Sequence, residues 1–170
     1  KNGMQNQPIP KEMTTDDIIK TKDEFIIAAK NAIEAGFDGI ELHSANGYLL
    51  DQFLNPGSNQ RKDEYGGSIE NHCRFILEVA GATVKAIGKE KTGIRLSPYG
   101  IFNDVKGFEE TESEYSYLAE KLYTLGLVYM HLVDHSSMGA PIVNPSTIQK
   151  IRKNFKNTLI LSGGYDKERA

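Results

Sequence analysis

Apolar positions recur along the chain in two rhythms, one helical and one of short continuous runs. Between residues 15 and 35, Ile18, Ile19, Phe25, Ile26, Ala29 and Ile33 fall at near-helical spacing, and Gly36 supplies a stop. Phe37 to Leu42 then runs more than it alternates, which predicts a strand buried on both faces. A second helix opens near Ser68, carries Ile69, Phe75, Ile76, Val79, Val84 and Ile87, and stops at Gly88; Lys91 to Leu96 is the next strand. Thr111 and Glu114 have the form of a capping box, with Tyr115, Leu118, Leu122 and Leu125 on one face up to Gly126. Leu127 to Val133 reads as strand three. Asn144 before Pro145 opens a short helix through Phe155, and Thr158 to Leu161 is strand four, ending in Ser162-Gly163-Gly164.

Four strands alternating with four helices give an α/β class built from successive parallel units. The same alternation suits a (β/α) barrel and an open doubly wound sheet, and periodicity does not choose between them. No G-x-G-x-x-G follows the first strand, which counts against a dinucleotide fold. At 170 residues and 39% hydrophobic content the chain fits one domain, residues 1–170.

Charge narrows the partners. The net charge of −3 arises from 20 basic and 23 acidic residues without any block of one sign, so there is no footprint for nucleic acid or an anionic membrane. No run approaches the roughly 18 apolar residues of a membrane span, and no charged-then-apolar leader is present, which predicts a soluble, cytoplasmic protein. Cys73, the lone cysteine, has no partner for a disulfide and reads as a half-buried helix thiol. The start at Lys1 and the end in Asp166-Lys-Glu-Arg-Ala170, which reads like the opening of another helix, make both ends look cut.

In parallel α/β folds chemistry gathers where strands end. After Leu42 come His43, Asn46 and Tyr48: two groups able to donate hydrogen bonds to one oxygen, and a phenol able to give up a proton. The plain alternative makes His43 a strand-end cap, Asn46-Gly47 a turn and Tyr48 a rim residue. Arg95 lies inside strand two, where an unpaired guanidinium is expensive; Glu41 on the neighbouring strand or an anionic ligand could satisfy it. Gly163 and Gly164 would let backbone amides approach a phosphate, or simply make a tight turn. His131 and His135 straddle a strand end, so their side chains need not converge on a metal, and no metal site is expected. His72, early in a helix, reads as solvated or capping.

The stretch from Ala35 to Asn55, AGFDGIELHSANGYLLDQFLN, its continuation SNQRKDEYGGSIEN from Ser58 to Asn71, and Gly93-Ile-Arg95-Leu-Ser-Pro98 together resemble the central motif of the old yellow enzyme family. The resemblance spans essentially the whole chain and is strongest from Ala35 to Pro98. It implies a (β/α)8 TIM barrel, of which about four units, strands four to seven of the family, are counted here. It implies FMN as cofactor, NAD(P)H as reductant and a small-molecule activated alkene as substrate. His43 and Asn46 would hydrogen-bond the carbonyl oxygen of an α,β-unsaturated substrate, Tyr48 would protonate the α-carbon, and Arg95 would face the flavin pyrimidine edge. Gly163 and Gly164 match, more loosely, backbone contacts toward the FMN phosphate. Many members carry histidine where Asn46 stands, and arginine is common where this chain has His72. Because members are about twice this length, two readings follow: a catalytic parent protein, or a non-catalytic half-barrel that self-associates or needs a complementary half. A relative using another electron acceptor is a weaker third.

Overall fold

A computed structural model describes residues 9–168; the two ends read as cut, Lys1 and Ala170, lie outside that range. Helix α1 (Thr15–Glu34) starts at a capping box in which Thr14 and Asp17 satisfy each other's backbone amides. It ends in a turn where the Phe37 amide donates to the Ala32 carbonyl at 3.1 Å. That turn holds Phe37 out in solvent at 67% exposure, so the first strand starts later than the apolar run suggests. Strand β1 spans Ile40–Ser44 and therefore contains His43.

The chain continues through a short helix α2 (Leu49–Leu54) and a long helix α3 (Ile69–Ile87) to β2 (Thr92–Leu96). Helix α4 (Thr111–Leu125) leads to β3 (Tyr129–Val133), and α5 (Pro145–Asn154), capped by Asn144, leads to β4 (Thr158–Ser162). Asp166 accepts a hydrogen bond from the Glu168 amide in a turn, where another helix was expected to open.

The four strands are parallel and ordered β1-β2-β3-β4. A doubly wound sheet reverses its strand order at a switch point and covers both faces with helices; this sheet does neither. Leu42, Ile94, Leu96, Met130 and Leu132 point to the face on which the helices lie, where they join Phe75, Ile76, Leu118, Leu122 and Phe155 in one core. Along that face α1 packs on α3, α3 on α4 and α4 on α5. The opposite face carries Glu41, His43, Arg95, Tyr129, His131 and Ser162. Sequential order, parallel strands and a single helical layer make this an arc of a TIM barrel, with the polar face on the side that a closed barrel turns inward. Strand β1 is consequently buried on one face, at Leu42 and Ser44, not on both as the apolar run at residues 37–42 suggested.

Three local expectations are corrected by burial. Thr111 and Glu114 form no capping box: the Thr111 hydroxyl donates to the Phe108 carbonyl, and the Glu114 side chain turns inward. There it meets His72, which is buried, not solvated, with Nδ1 3.4 Å from the carboxyl group. Cys73 is wholly buried instead of half-buried. No helix among the described residues is long and apolar enough to cross a membrane.

Candidate active site

The carboxyl ends of β1 and β2 bring the predicted groups together. Strand register places His43 directly beside Arg95, and His131 beside Arg95 on the other side. Immediately after β1 the chain makes a turn in which Asn46 (φ 62°) and Gly47 (φ 72°) are both left-handed. That turn returns Tyr48 to within 5.2 Å of His43, ring centroid to ring centroid. Tyr48 is 55% exposed, so its phenol is open to a ligand from the sheet's polar face. Partial burial and the adjacent Arg95 guanidinium both push His43 below its ordinary pKa, which outweighs the opposite pull of Glu41. At neutral pH the ring is therefore neutral, with one nitrogen carrying a proton to donate.

Arg95 does not pair with Glu41. Glu41 is engaged by His131, whose Nδ1 lies 3.0 Å away, and by the Tyr129 hydroxyl, while His131 Nε2 lies 2.6 Å from Ser162 Oγ. Arg95 is left with a buried Nε that has no hydrogen-bond partner among the described residues, and the Asn46 side-chain oxygen is in the same condition. A buried guanidinium nitrogen without an acceptor is costly unless a ligand supplies one. The electron-rich edge of an isoalloxazine is such an acceptor, so Arg95 fits a flavin. At the end of β4, Gly163 (φ 92°) and Gly164 (φ 66°) continue the same rim. A Cβ on Gly163 would overlap the Asp134 carbonyl oxygen, so glycine is needed there for backbone packing whether or not a phosphate also binds. His131 and His135 diverge: His135 packs edge-on against Phe102, with ring centroids 4.6 Å apart.

Sequence reasoning missed the support beneath the turn. Asp51 in α2 is buried and accepts from the Gly47 amide at 2.8 Å; Ser97, just past β2, accepts from the Asn46 amide at 2.8 Å. Asn103 donates to the Asn46 carbonyl at 2.8 Å. The signal was present as an aspartate inside the apolar run Leu49, Leu50, Phe53, Leu54, where a carboxyl group has no place unless it has work among buried donors. Left-handed non-glycine residues cluster in the same region: besides Asn46, the loop after β2 holds Tyr99, Asn103 and Asp104 at φ 55–64°. Strain of this kind gathers at binding sites.

Known proteins resemble this chain in sequence and contain the same arc. The sequence model of the NADH:flavin oxidoreductase / NADH oxidase family matches residues 1–170. The 12-oxophytodienoate reductase 2 of Arabidopsis thaliana is 40% identical over 161 residues, covering 94% of this chain and 43% of that protein. Morphinone reductase superposes with a TM-score of 0.93 at 38% identity, covering 99% of this chain and 45% of its own, and has also been solved in complex with tetrahydroNAD. The old yellow enzyme homologue from Zymomonas mobilis gives a TM-score of 0.90 at 33% identity over 98% of this chain and 47% of its own. The chain thus spans less than half the length of these relatives.

Proposed function

The chain belongs to the NADH:flavin oxidoreductase / NADH oxidase family, the family of old yellow enzyme, and from that premise we propose that it serves FMN-dependent reduction of the C=C bond of α,β-unsaturated carbonyl compounds, with NAD(P)H as reductant. The observation that carries this reading is the convergence of His43, Asn46 and Tyr48 at the end of β1, beside an Arg95 whose buried Nε lacks a partner.

Each group has a part that its chemistry suits. His43, neutral at working pH, and the Asn46 carboxamide donate hydrogen bonds to the substrate carbonyl oxygen, drawing electron density from the alkene. Tyr48, exposed next to His43, delivers a proton to the carbon adjacent to the carbonyl. Arg95 and the Gly163-Gly164 rim hold the cofactor, the guanidinium against the ring edge and the backbone toward the phosphate. FMN, when bound, supplies the hydride for the other alkene carbon. The reductases among the relatives, and the morphinone reductase complex with a reduced nicotinamide, support the substrate class and the reductant.

Titrating FMN into the protein and following quenching of flavin fluorescence tests the pocket; anaerobic reduction by NADH and NADPH, then reoxidation by a simple cyclic enone, tests the chemistry. Saturable quenching with enone-dependent reoxidation is expected. Reduced protein that reoxidises with oxygen but not with an enone would overturn the assignment.

A further inference from the structure

The turn that carries Asn46 and leads into Tyr48 is held from below by one buried carboxyl group. Asp51, 4% exposed, accepts from the Gly47 amide at 2.8 Å, from the Ser97 hydroxyl at 3.4 Å and from the Tyr115 hydroxyl of α4. Ser97 in turn accepts from the Asn46 amide at 2.8 Å, so both left-handed amides end on Asp51, one directly and one through a hydroxyl. A cavity of ≈ 10 Å³ adjoins the carboxyl group, bordered by Asn55, Ser97, Tyr99, Lys106 and Tyr115; it has room for about one water. A strained turn, a convergent set of donors and deep burial therefore meet at one side chain.

We propose that Asp51 is the positioning residue of this site, its buried carboxylate fixing the Asn46–Gly47 turn so that the Asn46 carboxamide and the Tyr48 phenol meet one substrate. Two left-handed residues in succession, one of them asparagine, are unfavourable for a free chain, and charge-assisted bonds to ionised oxygen are about twice as strong as neutral ones. Protonating Asp51 removes that assistance from both amides together. The groups facing it are the Gly47 amide of the turn, Ser97 after β2, Tyr115 and Glu114 of α4, and Lys106 in the loop after β2. Burial pushes Asp51 up to about 6, against the lowering pull of its donors, so the switch lies close to neutral pH. Insofar as it names a substrate, the proposal rests on the function given above; the coupling of Asp51 to the turn does not.

The backbone amide signals of Asn46 and Gly47, followed in the labelled chain from about pH 4.5 to 8.5, report the coupling directly, across a window that includes raised carboxylates. Both signals should move together with a midpoint well above the ordinary carboxylate range but below that of Glu114, and both should lose that midpoint in Asp51→Asn while the core amides of Phe75 and Val79 keep their positions. Ser97→Ala should leave the Gly47 titration intact and abolish that of Asn46. Amides that ignore pH in the wild type, or titrate unchanged in Asp51→Asn, overturn the proposal. In the FMN-loaded protein, Asp51→Asn should slow enone-driven reoxidation about 10- to 100-fold, the scale of a small misplacement, and leave nicotinamide-driven reduction unchanged. Equal loss in both half-reactions contradicts a positioning role. A wild type that reduces no enone removes the functional reading alone, and the amide titration still decides the role of Asp51.

Discussion

Tyr48 and Gly47 sit side by side, yet they contribute in different ways. The Tyr48 phenol is exposed and 5.2 Å from His43 by ring centroid, so removing its hydroxyl takes away a proton and little packing. Tyr48→Phe should slow enone-dependent reoxidation by about 10²- to 10⁴-fold, the range for a lost general acid, while stopped-flow reduction by nicotinamide stays as in the wild type. Gly47 is there for its backbone. At φ 72° any side chain is strained, and a Cβ would overlap the Phe102 carbonyl oxygen. Gly47→Ala should therefore cost about 1–3 kcal/mol in urea unfolding, and a variant as stable as wild type would show that the turn relaxes freely. The chemistry of His43, Asn46 and Tyr48 was legible because their types and spacing in sequence already match a task. What Gly47 and Asp51 do depends on the loop after β2 approaching from residues 97–103, which no local pattern encodes.

Element ends were legible wherever a residue imposes its own geometry: Gly36, Gly88, Gly126 and the Asn144-Pro145 pair all stand where the sequence placed them. Local form misled where burial overrode it. Thr111 with Glu114 looks like a cap, but Glu114 is 1% exposed and packs between α4 and α3 against His72, and α2 is too short for its periodicity to stand out. The pair has a thermodynamic signature. Burial, then the charges of Glu110 and Asp51, push Glu114 up to about 8, while burial lowers His72, so near neutrality both are uncharged. A raised folded-state pKa means that the stability Glu114 contributes is complete below its unfolded value and is lost as pH climbs toward 8. His72 works in the opposite sense, but only as pH falls below its ordinary value of 6.5. Between pH 6.5 and 8 Glu114 dominates, with only the tail of the Asp51 titration beside it, and unfolding free energy should decline on the order of 1–2 kcal/mol. Glu114→Gln should flatten that decline in urea titrations at the two pH values; an equal slope in the variant would place the charge elsewhere.

The arc as a whole has one apolar face, covered by helices over β1 to β3, and one polar face of His43, Arg95 and His131 in a single register row. Alternation of helix and strand could not reveal this, because barrel and doubly wound sheet share it; strand order and the one-sided helical layer separate them, and both are products of long-range pairing. The same long-range pairing gives Glu41 to His131 and Tyr129, which leaves Arg95 Nε buried and without an acceptor. Such a group destabilises the ligand-free protein by about 1–3 kcal/mol and repays that only when something negative docks on the row. Arg95→Met should accordingly be at least as stable as wild type without ligand. With FMN the order should reverse: at a hundredfold excess over its dissociation constant, FMN adds about 2.7 kcal/mol to the wild type, a rise of roughly 5–10 °C in Tm for a chain of this size, and much less to the variant. Thermal melts of both proteins with and without FMN read the crossing directly. A variant that is weaker without ligand would mean that Arg95 is already satisfied within the fold, and a variant that gains as much from FMN as the wild type would mean that the guanidinium faces some other anion than the flavin.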